Sequence, residues 1–245
     1  MDILIATKNQ GKFKEIKSML LGLEADFVSL ADLGITDDFV EDGESFEENS
    51  LGKAQFYAEK SGLITVADDS GIFVKALSGE MGVKTRRWGA GESATDEEWL
   101  NFFMDRMSAE KNREAKFVCC ATIVVPKNKP VMIKKTFIGE SFGTISEQIE
   151  APVKEGVPLS SVFRPDGEEL VYSALSVQNK NRLSHRGKAF LQLLNYAKEY
   201  FTKNGRRKCK GGGVDCWSKN RQNALLVGTC FATRVCSGNW YECWL

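Results

Sequence analysis

The stretch "VADDSGIFV", Val66 to Val74, sets two carboxylates side by side behind a short apolar run. Asp68 and Asp69 are followed at once by Ser70 and Gly71, and the reading of these four residues decides the fold. Asp, Ser and Gly are turn residues, so one reading stops the strand at Ala67 and makes the motif a loop. The other lets the strand deliver both carboxylates to a cleft. Side chains alternate between the two faces of a strand, so adjacent aspartates on a central strand cannot both face solvent. One must look inward. The stretch alone leaves the two readings level.

Outward from it, "LITVA" (63–67) reads as the strand that carries the aspartates. Before it, "ESFEENSLGKAQFYAEKSG" reads as a helix from Ser45, with Ser45 and Glu48 as a capping box and Gly62 as its stop. At the chain start, "ILIA" (3–6) is a buried strand and "TKNQGK" (7–12) a polar turn. Phe13, Ile16 and Leu20 then recur on one helical face. Downstream, "TDEEWLNFFMDRM" (95–107) opens on a second capping box, Thr95 with Glu98, and is expected to bury Trp99, Phe102 and Phe103. "AKFVCCATIVV" and "PVMIKKTFIG" flank "PKNKP" as an antiparallel hairpin, with a further short strand near 143–145. "LSHRGKAFLQLLNYAKEYF" closes the pattern as a helix with Ala189, Phe190, Leu193, Leu194 and Ala197 on its apolar side. The class is mixed α/β to about residue 203.

Composition narrows the function classes. The 245 residues fit one large domain or two small ones, and 42% of them are hydrophobic. Lys plus Arg balances Asp plus Glu at 33 each, so no global charge points to nucleic acid or a membrane surface. No apolar run approaches a membrane span, and the acidic start "MDILIATKNQ" lacks the features of a signal peptide. A cytoplasmic protein is expected. Of the seven cysteines, Cys119 and Cys120 lie in an apolar strand and should behave as small buried hydrophobes. The other five follow residue 205.

Three features carry chemistry. The strand–turn–helix at the start resembles a phosphate-binding corner, where helix amides attract anions and Lys8 and Lys12 add charge. It is not a Walker A loop, and a solvated lysine pair is the plain alternative. Glu41, in "VEDGESFEEN", stands outside the helix and can offer an oxygen to a hard cation together with Asp69. The third is "KNRLSHRGKA", with the lone histidine, His185, beside Arg186. It is either structural or part of a cluster with Lys180 and Ser184 that suits a nucleotide.

"TKNQGKFKEI", "EDGESFEENSLGKA", "ADDSG", "GVKTRRW" and "KNRLSHRGKA" occur in the order and spacing of the inosine triphosphate pyrophosphatase family, whose members hydrolyse non-standard purine nucleoside triphosphates such as ITP, dITP and XTP. The chain resembles that family over residues 1 to about 200. The resemblance implies that Thr7, Asn9 and Lys12 hold the triphosphate, with Lys8 beside them, and that Lys53 approaches the phosphates. It implies magnesium at Glu41 and Asp69, Asp69 as proton acceptor, and Ser70 against the substrate. Either Asp69 or Asp68 would orient the attacking water. Lys180, His185 and Arg186 would contact the nucleotide, the last two at the purine. The fold implied is an elongated mixed sheet flanked by helices, with two lobes around a central cleft, usually in a homodimer.

The family's Gly-Phe/Trp-Gly-Tyr-Asp-Pro run, which lies over the base, corresponds here to "GVPLSSVFRPDG" (156–167), where Phe163, which the resemblance places against the substrate, and Pro165 are kept but Val157 replaces the ring and "PLSS" replaces Gly-Tyr-Asp-Pro. A base would lose a stacking partner, a contact of about 1–3 kcal/mol in single-strand nucleic-acid sites. Altered base specificity, or a nucleotide sensor without turnover, are therefore the alternatives to purine pool cleaning. Residues 1–204 are expected to form the catalytic domain. The Cys-rich stretch 205–245 lacks paired zinc-type spacing and is expected to be a loosely ordered or foreign extension.

Overall fold

The strand that carries the two aspartates does not stop at them. In the computed structural model, which describes residues 1–91, 93–126 and 133–205, β3 runs unbroken from Ile64 to Val74. It pairs antiparallel with β4 (Glu114–Val125), Asp68 opposite Ala121 and Asp69 opposite Cys120. The turn reading is therefore excluded, and so is the expectation that a strand ends at the aspartates. The ladder runs straight through Asp68–Gly71, because a break in this central strand would orphan buried backbone donors and acceptors.

β4 pairs in turn with β5 (Ile133–Ile145), so the strand expected near 143–145 is the end of β5 and not a separate element. The hairpin tip, 127–132, lies outside the described residues. Two further strands complete one side, β1 (Asp2–Ile5) and β2 (Asp26–Val28), both parallel to their neighbours. With β6 (Phe163–Pro165) at the other edge, the six-stranded mixed sheet has the order β2-β1-β3-β4-β5-β6.

Helices cover both faces. On one, Ile3, Ile5, Val66, Cys119, Ala121 and Ile123 pack against Ile16 of α1 (Gln10–Met19), its C-cap Leu20, and Phe190, Leu193 and Ala197 of α5 (His185–Gly205). On the other, Leu4, Ala67 and Val124 meet Ala54, Tyr57 and Ala58 of α2 (Phe46–Ser61). Farther along the same strands, Ile72, Val74, Ala115, Phe117 and Ile145 join Trp99, Leu100, Phe103 and Met107 of α3 (Asp96–Met107) in a separate core. Two lobes thus share three long strands, and the paired aspartates lie where one core gives way to the other.

Local signals held in most places. Both sides of the Thr95/Glu98 capping box form. At α2 only half does: Ser45 accepts from the Glu48 amide, but the Glu48 carboxylate takes the Glu44 amide. Phe102 is 41% exposed, against expectation, because it stands off the stripe of Trp99, Leu100, Phe103 and Met107 and packs edge-on to Trp88. A short helix, α4 (Val177–Leu183), precedes α5, and Ser184 separates them in an extended conformation. Cys119 and Cys120 are buried free thiols. Among the described residues no helix is long and apolar enough to cross a membrane. Met1–Gly205 forms one compact unit; the Cys-rich stretch from 206 lies outside the described residues.

Candidate active site

The buried stripe of α2 is unusual. Phe46, Asn49, Ser50, Ala54 and Tyr57 recur at the spacing of one helical face, and two of them are polar. Lys53 belongs to the same stripe. Buried polar groups persist only when bonded, and each of these has a partner. The Asn49 amide donates to Asp69 Oδ2 at 3.0 Å, and its carbonyl accepts from the Gly43 amide at 2.8 Å. The Ser50 hydroxyl meets Thr122 at 2.8 Å. The Lys53 ammonium pairs with Glu41. Burial would lower the Lys53 pKa, but the charges of Glu41, Asp68 and Asp69 outweigh it and raise it.

The two aspartates divide as strand alternation demands. Asp69 faces α2, lines a cleft of about 680 Å³ between the lobes, and accepts from the Ser70 amide at 2.8 Å. Burial and the nearby Glu41 charge push its carboxyl up, against the pull of Lys12 and Lys53. Asp68 faces α1 and α5 and is 1% exposed. Its Oδ2 accepts from Arg186 Nε at 3.1 Å, with the Lys12 ammonium at 3.7 Å. Burial would raise its carboxyl, yet the charges of Lys12, Arg186 and Lys53 overcome this and hold it well below the usual carboxylate range. Asp68 is a sealed anion, not a cleft residue.

Arg186 is the hub of that sealed layer. Besides Asp68 it donates to Glu15 at 2.7 Å and to the Ser70 hydroxyl at 3.0 Å. Glu15 also binds Lys180 at 2.5 Å, and Lys180 reaches Ser160 at 3.3 Å. One carboxylate on α1 thereby joins α4 and α5 to the strand of aspartates. Burial disfavours the Glu15 anion, but the Arg186 and Lys180 charges prevail and lower its pKa.

On the same side of the cleft, Asn9 caps α1 by accepting from the Lys12 amide at 2.9 Å, and Thr7 accepts from the Asn9 amide. These place the free amides of a helix start beside Lys12, an anion-binding arrangement. Lys8 extends to Asp38 and the Thr36 carbonyl. Toward α3 and the 156–160 segment the walls turn apolar and aromatic. His185 stacks on Phe117 at 4.5 Å and 8°. Burial, with the Arg186 charge, drives its pKa well below the ordinary value, so the ring is neutral. Trp99, Tyr172, Val157, Pro158 and Leu159 also face the cleft.

Residues 3–196 match the Ham1 family. The chain belongs to the Ham1 family. A dITP/XTP pyrophosphatase of Thermoanaerobacter pseudethanolicus is 38% identical over 199 residues, 80% of this chain and 96% of that protein. One from Bacillus licheniformis is 34% identical over 194 residues, 78% and 95% of the two chains. A HAM1 protein from Coxiella burnetii superposes with a TM-score of 0.68 at 30% identity, covering 81% of this chain and 99% of that one. The Staphylococcus aureus Ham1 protein gives 0.67 at 28%, covering 82% and 100%. The mixed α/β fold and the family resemblance read from the sequence motifs are both borne out.

Within this Ham1 chain, Thr7, Lys8, Asn9, Lys12, Glu41, Lys53, Asp69, Ser70, Lys180, His185 and Arg186 all line the one cleft. Two residues expected there do not. Asp68 lies behind it, as described. Phe163 is fully buried and packs against Phe117 at 4.8 Å and Tyr172 at 5.0 Å, so it supports the ring under His185 instead of touching a ligand. Glu15 and Asn49 went unnoticed in the sequence. Both left a signal: Glu15 is the one acid in the basic helix "QGKFKEIKSM", and Asn49 interrupts an apolar stripe.

The donor set also bears on a metal. Among the described residues no group of three or more His, Cys, Asp or Glu side chains is placed to hold a metal ion. The Glu41 and Asp69 carboxylates share the cleft and feel each other's charge. Magnesium takes one or two protein carboxylates and completes its shell with water and substrate phosphates, so this oxygen pair fits it.

Proposed function

We propose that this Ham1 chain hydrolyses non-standard purine nucleoside triphosphates, of the dITP, ITP and XTP type, to the nucleoside monophosphate and pyrophosphate. The observation that carries the reading is the cleft itself: the Glu41 and Asp69 carboxylates face Lys12, Lys53 and the amides of the α1 start across one polar wall. That wall suits a triphosphate, and the named activity of the family's relatives agrees with it. Lys12, Lys53 and the helix-start amides hold the phosphate oxygens, while Thr7 and Asn9 shape the loop that presents those amides. Glu41 and Asp69 would hold magnesium, which supplies positive charge to the phosphate oxygens as the scissile bond lengthens. Asp69, the aspartate open to the cleft, accepts the proton of the water that attacks the α-phosphorus. Asp68 is withdrawn from that role and fixes Arg186 and Lys12. The bond from the α-phosphorus to the bridging oxygen breaks, and pyrophosphate leaves.

The nucleoside end is the neutral His185–Phe117 stack with Trp99, Tyr172 and the 157–160 segment, held from below by Lys180 and Arg186. That segment forms a single 3-10 turn, Pro158–Ser161, that brings Val157 and Leu159 to the cleft where the family motif has aromatic rings. Shifted base selection is the second reading this observation favours. A panel of triphosphates with pyrophosphate detection separates the two. Turnover of dITP and XTP well above that of ATP and dGTP is expected in magnesium and none in EDTA; no release from any purine triphosphate would overturn the proposal.

Residues 1–204 carry this chemistry, and work on a nucleotide pool fits a cytoplasmic setting. A homodimer is supported by one sheet face, where Phe73, Phe142 and Ile138 are about half exposed and Lys116 lies over the first two rings at 5.8 and 5.6 Å. Sedimentation of the parent and of Phe142→Glu tests it; a parent that sediments as a monomer sinks the idea.

A further inference from the structure

The 154–160 segment is pinned at a single residue. Gly156 has φ of +73°, and its carbonyl accepts from the Asn9 side-chain Nδ2 at 3.0 Å. Its N–H donates to Asp96 Oδ2 at 2.5 Å. Asn9 belongs to the loop that starts α1, and Asp96 is the first residue of α3, so the backbone of Gly156 joins three elements of two lobes. The contact is close by construction. A Cβ on Gly156 would lie 2.1 Å from the Asn9 side chain, and one on Gly11 would lie 2.2 Å from the Glu155 carbonyl. Only glycine at both positions lets the segment seat against the α1 start.

Over the next three residues the same segment presents Val157, Pro158 and Leu159 to the cleft, and Trp99, one turn along α3 from Asp96, lines it too. We infer that Asp96 is a positioning residue: it fixes the 156–160 segment and the Trp99 edge of α3 against the phosphate loop, and so sets the width of the base end relative to the phosphate end. The role is separable from helix capping, because Thr95 and Glu98 close the α3 start between themselves. It is also separable from the carboxylates, since the Asp96 bond falls on a backbone amide with no part in holding phosphate. This inference rests on the proposed pyrophosphatase reading and adds a determinant of base discrimination to it.

The test is the ratio of kcat/KM for dITP over dGTP in the parent, Asp96→Ala and Asp96→Asn. Asparagine keeps an oxygen that can accept the Gly156 N–H, whereas alanine has none. Asp96→Ala should reduce the ratio by about tenfold, the scale of one hydrogen bond to a charged acceptor, and Asp96→Asn should restore most of it. An unchanged ratio in Asp96→Ala overturns the inference. So does an asparagine variant as damaged as alanine, which would mean that the charge touches the base directly. If Asp96→Ala does not fold, Asp96→Ser, too short to reach the amide, carries the same comparison. A parent without turnover of either nucleotide fails the pyrophosphatase reading itself; an active parent with no change of ratio fails only the role of Asp96.

Discussion

The two ends of the cleft are built by different means. At the end that the proposed reading gives to the phosphates, the polar groups sit on or just before regular elements: Glu41 ahead of α2, Asn49 and Lys53 on its buried stripe, Asp69 in mid-β3, Lys12 in the first turn of α1. Glu41 pairs with Lys53, Asn49 with Asp69 and Lys12 with Asp68, so the polar wall exists before any ligand arrives. At the base end the surface comes from a 3-10 turn, the α4–α5 junction and the edge of α3, and its contacts are mainly aromatic and apolar. A preorganised polar wall gives chemistry a fixed address. A wall of turns and rings varies at little cost to the sheet, and it is there that this chain departs from its family motif.

The sharpest way to break the comparison is at its most charged point. Asp69→Asn should lower turnover by about 10²- to 10⁴-fold, the usual yield of a positioned acid or base, with an unchanged circular dichroism spectrum. Activity within a few-fold of the parent would return the aspartates to a structural role. Next comes the layer beneath both ends. Arg186→Leu leaves the buried Asp68 with only Lys12 at 3.7 Å and Glu15 with only Lys180, and it should cost about 3–5 kcal/mol in urea unfolding. A loss below about 1 kcal/mol, the level of an exposed pair, would show that the network is not the joint described above.

The base end can be read by pH. His185 is the only histidine, and burial together with the Arg186 charge holds its folded pKa well below 6.5. The unfolded chain therefore binds a proton below about pH 6.5 that the folded chain refuses. The stability tied to the neutral ring is complete above that value and falls as pH drops below it, at up to about 1.4 kcal/mol per unit. His185→Phe, which keeps the stack on Phe117, should flatten the slope between pH 5 and 6.5. An equal slope in both proteins would place a protonated histidine in the fold. The smallest effect is expected outside both ends. Chains ending at Asn204 should keep turnover and hold stability within about 1 kcal/mol of the full chain, and an inactive or insoluble product would extend the domain past α5.

This contrast also explains what the sequence made legible. α2, α3 and the α5 stripe followed from period and caps, and the motif residues of the phosphate end converged as expected, because regular spacing fixes where a side chain points. The course of β3 through Asp68–Gly71 did not follow. Turn-type residues there are overruled by a partner strand more than forty residues downstream, and local propensity holds no trace of it. Glu15 was hidden for a similar reason: its meaning lies in Lys180 and Arg186, at the far end of the chain. Phe163 was placed at the ligand by motif position, whereas the 3-10 turn before it sends the ring into the core.

The shared strands have a mechanical consequence. Two lobes joined by a linker swing as rigid bodies about a few loop residues. Here β3, β4 and β5 pass from one core to the other as a continuous hydrogen-bonded ribbon. Any narrowing of the cleft has to be taken up as added twist or bend spread along that ribbon. The point of least displacement in such a bend is its middle, and Asp68 to Gly71 occupy it. In any such bend the ends of the lobes would travel farthest and Asp69 least, because it stands in the middle of β3.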